Sequence, residues 1–95
     1  MTAKEFNEKY KDYLQSGFET QGLEFDHEKV TEFLDDIFKD LTLIPGFNYS
    51  QIKLKFGSCR FYTNLKSSQI MFMVENTVNT ILENDEVRRK PGSVL

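Results

Sequence analysis

The stretch Gln51-Ile52-Lys53-Leu54-Lys55-Phe56-Gly57-Ser58-Cys59-Arg60-Phe61-Tyr62-Thr63 decides the fold of this chain. Apolar and polar residues alternate on both sides of Gly57-Ser58, which is typical of two antiparallel strands joined by a two-residue turn. The predicted register pairs Phe56 with Cys59, Leu54 with Phe61 and Ile52 with Thr63. Successive side chains of a strand point to opposite faces. One face is therefore apolar, and the other carries Lys53, Lys55, Arg60 and Tyr62.

The polar face of this hairpin is the first candidate binding surface. Lysine and arginine neutralise phosphates, and Tyr62, with Tyr49, suits stacking on unpaired bases. The same cations also suit an acidic protein partner. A third interpretation needs no ligand, because a sheet face that meets water is polar and lysines on a strand discourage edge pairing.

Length and composition predict one small domain. The chain has 95 residues and a net charge of −3. We expect a compact domain over residues 1–87 and a flexible basic tail over residues 88–95. The single cysteine, Cys59, excludes an intramolecular disulfide, and no apolar signal segment or membrane span is evident. These features predict a cytoplasmic protein.

The flanking segments are predicted to form three helices. Thr2-Ala3-Lys4-Glu5 reads as a capping box, so the first helix runs from about Ala3 to Ser16. Asp26 is the predicted N-cap of the second helix, which ends before Pro45-Gly46. The third helix runs from Ser67 or Ser68 to about Asn84. Its predicted buried side consists of Ile70, Met71, Met73, Val74, Val78, Ile81 and Leu82.

These elements predict an α+β fold in the order α-α-β-β-α. A two-stranded hairpin is marginal in water by itself. Its apolar face must therefore rest on the helices, and the apolar stripe of the second helix provides a matching surface. That stripe consists of Val30, Phe33, Leu34, Ile37, Phe38 and Leu41.

The opposite side of the second helix is acidic. Residues 26–42 carry six acidic and two basic side chains, whereas residues 47–66 carry four basic and no acidic ones. The acidic face could be merely solvated, or it could imitate a phosphate backbone and occupy a basic channel. A metal site is not expected, because no loop closes ligands around an ion. The face consists of Glu28, Glu32, Asp35, Asp36 and Asp40.

The sequence contains no pattern that predicts catalysis. His27 is the sole histidine, and Cys59 is placed on the apolar face of the hairpin, away from a general base. Gly57 is interpreted as a turn residue and not as part of a phosphate-binding loop, since no further glycines follow at the spacing of such a loop. We therefore predict no enzyme activity, no cofactor and no metal.

The hairpin resembles a motif of small uncharacterised bacterial and phage proteins. It reads Gln51-Ile52-Lys53-x-Lys55-Phe56-Gly57-x-x-Arg60-Phe61-Tyr62 here, and Q-[IV]-K-E-K-F-G-x-L-R-F-Y in its common form. This chain has Leu54 where glutamate is usual. It also lacks the zinc-ribbon-like cysteines that follow the last helix in many relatives. The resemblance implies a shared core and a phage or mobile-element origin, but it supplies no activity.

Three functions follow as hypotheses. The first is an interaction protein that binds and blocks a macromolecular partner, such as an anti-CRISPR protein acting on a host defence complex. The second is a small module that binds RNA or single-stranded nucleic acid through the hairpin face. The third is an oligomerisation domain joined through Met71-Phe72-Met73 or the hairpin edge. The expected partners are a protein, a protein–nucleic-acid complex, nucleic acid or a second copy, and no membrane.

Overall fold

The computed structural model confirms the α+β class and describes residues 1–15 and 22–89, with backbone alone for residues 86–89. Three helices pack against one side of one sheet, and a 3-10 turn at Lys11–Tyr13 follows the first helix. The helices are α1 (Ala3–Lys9), α2 (Glu28–Leu41) and α3 (Ser68–Arg89), and the strands are β1 (Gly22–Leu23), β2 (Tyr49–Lys55) and β3 (Ser58–Thr63). No helix in the described ranges combines the length and apolar character needed to cross a membrane.

The sheet has three strands, so the predicted two-stranded sheet was incomplete. β1 pairs in parallel with β2, and the strand order is β1-β2-β3. Asn7 of α1 holds β1 in place: its Oδ1 accepts from the Leu23 amide at 2.8 Å, and its Nδ2 donates to the Leu23 carbonyl at 3.0 Å. Gly22 has a φ of 61°, and a Cβ there would collide with the Asn7 amide. A two-residue strand has no alternation for sequence analysis to detect.

The predicted hairpin register was wrong by two positions. The turn residues are Phe56 and Gly57, with φ values of 54° and 79°, which is typical of a type I′ turn. A shift by an even number keeps every side chain on its predicted face. Phe56 is the exception, because it lies in the turn and is 96% exposed. The observed pairs include Lys55 with Ser58, Leu54 with Cys59, Lys53 with Arg60 and Ile52 with Phe61.

The helix boundaries differ from the prediction at three points. The capping box of α1 is present, but α1 ends at Lys9 instead of near Ser16, which lies outside the described residues. The N-cap of α2 is His27, whereas the Asp26 carboxylate accepts from the Ala3 amide at 2.6 Å. α3 continues to Arg89. Residues 90–95 of the predicted tail lie outside the described residues, and the domain boundary stays a prediction.

The core lies between the helices and one side of the sheet, with Phe38 of α2 at its centre. Its ring centroid is 4.9 Å from that of Phe6 and 6.0 Å from that of Phe61. α3 buries Val74 and Val78, but Met73 is 43% exposed, so its predicted burial was wrong. A bulge between Tyr49 and Gln51 turns Tyr49 fully into the core. Burial raises the pKa of Tyr49 to about 12. Tyr49 is therefore unavailable for the base stacking suggested by the sequence.

Candidate binding face of the hairpin

The outer side of β2 and β3 brings together all four predicted residues, and we call it the cationic face: Lys53, Lys55, Arg60 and Tyr62. Lys53 lies directly opposite Arg60. The Lys53 ammonium is 5.7 Å from the centroid of the Tyr62 ring. Tyr62 is 44% exposed, and Lys55 and Arg60 are exposed, whereas Lys53 is half-buried. An aromatic ring and three cations thus share one accessible surface.

The charges of the cationic face are not neutralised within the described part of the chain. Neither Lys53, Lys55 nor Arg60 has a carboxylate oxygen within 4.0 Å there. Like charges placed directly opposite each other on neighbouring strands destabilise a sheet. The Glu24 carboxylate lies at the margin of this face and accepts a hydrogen bond from Nε2 of the Gln51 side chain. Within the described ranges, the face is therefore a cationic surface without ion-pair partners.

The tip of the hairpin adds a residue that sequence analysis assigned to the core. Phe56 projects from the turn beside Lys55 and Leu54, and Leu54 is 40% exposed. A bulky residue at positive φ is an outlier among protein conformations. The left-handed region costs a non-glycine residue about 1–2 kcal/mol. The signal that identifies this turn is Gly57 at its second central position, where type I′ turns favour glycine.

Side chains cap part of both edges of the sheet. On β3, the Cys59 amide donates to Asn79 Oδ1 at 2.7 Å, and the Phe61 amide donates to Glu75 Oε2 at 2.8 Å. On β1, Asn7 satisfies both backbone groups of Leu23. Unpaired edge groups are what an added strand would use. The capped positions are thus two amides of β3 and the outer side of β1, and β1 itself covers β2 only at Gln51 and Ile52.

The two residues considered for nucleophilic chemistry are engaged in the fold. Cys59 is 2% exposed, and burial together with the Glu75 carboxylate raises its thiol pKa to about 12. His27 Nδ1 accepts from the Val30 amide at 3.4 Å, and its Nε2 lies 3.0 Å from Asp85 Oδ2. The described ranges contain no group of three His, Cys, Asp or Glu side chains placed to hold a metal ion.

The His27–Asp85 contact forms one wall of an open cleft of about 480 Å³, which sequence analysis did not find. Met1, Thr2 and Asp26 line the rest of it, together with Glu28 and Lys29. The contact joins the start of α2 to the far end of α3, fifty-eight residues later. Its evident role is to hold the two helices together.

The acidic side of α2 separates into two parts. Asp35 accepts from Lys9 Nζ at 2.7 Å and from the Tyr10 hydroxyl at 2.6 Å, so it binds α1 to α2. Burial alone would raise the pKa of the Asp35 carboxyl, but these hydrogen bonds outweigh it and hold the pKa below its usual value. The remaining carboxylates, which we call the acidic ridge, are exposed at four-residue spacing: Glu28, Glu32, Asp36 and Asp40.

The acidic ridge and the cationic face lie on opposite sides of the core. The buried side of α2 and the inner side of the sheet meet through Phe38 and Phe61. Their outer sides therefore point away from each other. No ridge carboxylate has a lysine or arginine nitrogen within 4.0 Å in the ranges the structure covers. The two charged surfaces do not neutralise each other within the fold.

Comparison with known proteins returned no matching family model, no matching curated protein and no matching solved structure. The resemblance of the hairpin motif to phage proteins therefore rests on its own residues and stays a prediction.

Proposed function

We propose that this chain is a non-enzymatic interaction protein that binds and blocks a macromolecular partner through the cationic face. The observation that carries the proposal is the cross-strand pair of a half-buried Lys53 and an exposed Arg60 beside Tyr62, which has no carboxylate oxygen within 4.0 Å in the described ranges. This arrangement opposes folding, since like charges repel across a sheet. An anionic partner would relieve that repulsion.

The expected partner presents a negatively charged surface. Tyrosine and arginine are enriched among the residues that dominate protein interfaces. Complementary charge also steers the encounter and raises the association rate. Because the cations and Tyr62 lie on the outer face, and Asn7, Glu75 and Asn79 occupy part of the sheet edges, we expect docking across the face.

In its concrete form, the proposal is an inhibitor of a host defence complex that handles nucleic acid, such as an anti-CRISPR protein. The resemblance of the hairpin to phage proteins supports this form, and so do two charged surfaces that lack ion-pair partners in the described ranges. The cationic face would occupy an anionic surface of the complex. The acidic ridge is the alternative working surface, because it could occupy a basic channel.

Affinity capture from the native host, with and without nuclease, tests the proposal. Three variants are compared with the natural chain. One replaces Lys53, Lys55 and Arg60 with alanine, and one replaces Glu32, Asp36 and Asp40 with their amides. The control removes three lysines of the helical layer, Lys4, Lys29 and Lys39.

We expect a nuclease-resistant protein complex that is lost with the first variant alone. Loss with the second variant alone would transfer the function to the acidic ridge. Capture that survives both would contradict the proposal. For the anti-CRISPR form, plating efficiency of a targeted phage on a CRISPR-immune host should rise when the chain is expressed, and it should stay low with the first variant.

A second candidate function is binding of single-stranded nucleic acid. The observation that favours it is the exposed Tyr62 ring with Lys53 beside it, which combines a stacking surface with a phosphate-neutralising charge. Fluorescence anisotropy with a labelled oligouridine should then show micromolar binding that weakens steeply with salt. The triple alanine variant should lose this binding, and the Lys4/Lys29/Lys39 control should keep it. Absence of salt-sensitive binding would exclude this candidate.

A further inference from the structure

Part of the β2 edge is left open beyond the end of β1. β1 pairs with β2 only at Gln51 and Ile52, and a bond from the Glu24 amide to the Ile52 carbonyl follows at 3.0 Å. After Glu24 the chain leaves the sheet and enters α2 at Glu28. The next position of β2 whose backbone can face this edge is Leu54.

The backbone of Leu54 points toward the open edge. Leu54 lies opposite Cys59, and the Cys59 amide donates away from β2, to Asn79 Oδ1 at 2.7 Å. In an antiparallel ladder, two opposite residues either exchange both hydrogen bonds or exchange none. Leu54 therefore directs its N–H and C=O groups away from β3. Among the described residues, neither group has a hydrogen-bond partner on the edge side.

The side chains around Leu54 determine what an added strand would meet. Leu54 itself is 40% exposed. Lys53 and Lys55 point to the opposite side, which is the cationic face, because successive side chains of a strand alternate. Neither lysine has a carboxylate oxygen within 4.0 Å in the described ranges. The edge thus offers two backbone groups and one apolar side chain, flanked by two cations.

We propose that this edge receives an extended segment of a protein partner with an acidic–apolar–acidic sequence. The central residue of the segment pairs with the Leu54 backbone and packs on the Leu54 side chain. The two flanking carboxylates lie opposite Lys53 and Lys55, where cross-strand neighbours have Cβ atoms about 4.5–5.5 Å apart. This is strand addition, in which main-chain bonds provide affinity and alternate side chains provide specificity.

The two lysines favour this partner over a second copy of the chain. Pairing of β2 with β2 of another copy about Leu54 would place Lys53 of one copy against Lys55 of the other. Like charges directly opposite each other destabilise a sheet, and lysines on an exposed edge discourage such pairing. An acidic strand reverses the sign of this interaction. The same two residues therefore repel one class of strand and attract the other.

The inference rests on the proposed function, because Lys53 and Lys55 belong to the cationic face. It narrows the partner from any negatively charged surface to one that presents an extended acidic segment beside that surface. A segment of three paired residues is a small contact, far below the area of a stable interface. We therefore expect the isolated segment to bind weakly, as one part of the full interface.

Nuclear magnetic resonance titration of the isotope-labelled chain with short end-capped peptides tests the inference. The peptide Thr-Glu-Val-Glu-Thr should shift the amide signal of Leu54 in a saturable way at millimolar concentration. The matched control Thr-Lys-Val-Lys-Thr keeps the length and the apolar residue and should cause no shift. The isomer Thr-Glu-Glu-Val-Thr places its carboxylates on opposite faces, so it loses one ion pair and should bind at least about twofold more weakly.

Two substitutions at Leu54 separate the backbone contribution from that of the side chain. Leu54→Pro removes the outward N–H, and proline is tolerated where an edge N–H faces solvent. Leu54→Ala keeps the N–H and truncates the side chain. We expect Leu54→Pro to bind the acidic peptide roughly fivefold more weakly than Leu54→Ala, which corresponds to one lost hydrogen bond. The Lys55 amide reports binding in both variants, and the amide spectrum verifies that each is folded.

Three results of the titration would overturn the inference. The Leu54 amide could stay unperturbed up to the solubility limit of the acidic peptide, or the lysine peptide could bind equally well. The Leu54 signal could also move with the concentration of the chain alone, which would assign the edge to a second copy.

Affinity capture distinguishes failure of this inference from failure of the proposed function. Loss of the partner with both Leu54→Pro and the Lys53/Lys55/Arg60 variant supports strand addition. A partner that is lost with the triple variant but fully retained by Leu54→Pro would leave the proposed function intact and would refute strand addition.

Discussion

The two sides of the β2–β3 hairpin are built from neighbouring residues but have opposite effects on stability. On the inner side, Ile52, Cys59 and Phe61 are all at most 2% exposed and pack into the core. On the outer side, Lys53 and Arg60 face each other with no carboxylate near them in the described ranges. The inner side contributes stability by burial, whereas the outer side carries an arrangement that opposes stability.

This difference indicates where the fold and the function are encoded. Natural proteins keep destabilising arrangements chiefly at functional sites. The outer side of the hairpin and the left-handed Phe56 are two such arrangements on one element. Substitutions at matched residues on the two sides test this contrast.

The largest expected effect comes from replacing adjacent residues on the two sides of β3. Phe61→Ala should lower the free energy of unfolding by about 3–5 kcal/mol, because it leaves a cavity beside Phe38. Tyr62→Ala should lower it by less than about 1 kcal/mol, because its ring is half-exposed. Urea denaturation measures both values. Equal losses of unfolding free energy would show that the outer side also contributes to stability.

A second contrast compares an engaged carboxylate with an exposed one on α2. Asp35→Asn weakens the hydrogen bonds from Lys9 and Tyr10 and should cost about 1–2 kcal/mol at neutral pH. Asp36→Asn, at the exposed neighbouring position, should change stability by less than about 0.5 kcal/mol. Denaturation curves at pH 7 provide the comparison.

The pH dependence of the Asp35 effect has a defined sign. The pKa of Asp35 is lowered in the fold, so folding favours the carboxylate. Its contribution is complete above the ordinary carboxyl pKa and is lost as the pH falls through the lowered value. The difference between the natural chain and Asp35→Asn should therefore shrink below about pH 4. A constant difference down to pH 2 would contradict this account.

A third substitution, in the hairpin turn, is expected to increase stability. Phe56→Asn should raise the free energy of unfolding by about 0.5–1 kcal/mol, since asparagine tolerates the left-handed conformation and Asn-Gly favours type I′ turns. The control is Gly57→Ala, which should destabilise because alanine disfavours the φ of 79° at that position. If Phe56→Asn destabilised the chain, the exposed ring would have a structural role.

The smallest effect is expected at the centre of the cationic face. Lys53→Thr removes the cross-strand repulsion with Arg60 and should change stability by no more than about 0.5 kcal/mol, in the stabilising direction. The same change should weaken capture of the partner. Thermal unfolding measures the change in stability, and the capture experiment measures the change in partner binding. A marked loss of stability would show that Lys53 has a structural role.

Sequence analysis identified the elements that carry strong periodic patterns. The hairpin, the apolar stripe of α2 and the capping box at Thr2 were predicted because alternation, helical spacing and cap chemistry are local signals. The assignment of Lys53, Arg60 and Tyr62 to one face survived the wrong register, because the error was an even number of residues.

The remaining features depend on contacts that local patterns do not encode. The turn was misplaced because phenylalanine is disfavoured at positive φ, so Gly57-Ser58 was the more reasonable choice of turn residues. In the observed register, the Cys59 amide donates a hydrogen bond to Asn79, and the Phe61 amide donates one to Glu75. β1 depends on Asn7, and Asp35 depends on Tyr10, twenty-five residues away.

The attachment of β1 defines a rule for recognising related sequences. Asn7 both donates to and accepts from Leu23, which aspartate cannot do as a carboxylate and alanine cannot do at all. Gly22 is required by the same side chain, because the Asn7 amide fills the space of a Cβ. We expect the two positions to change together in evolution. An amide residue followed fifteen positions later by glycine, upstream of the hairpin motif, would be a fingerprint for distant homologues.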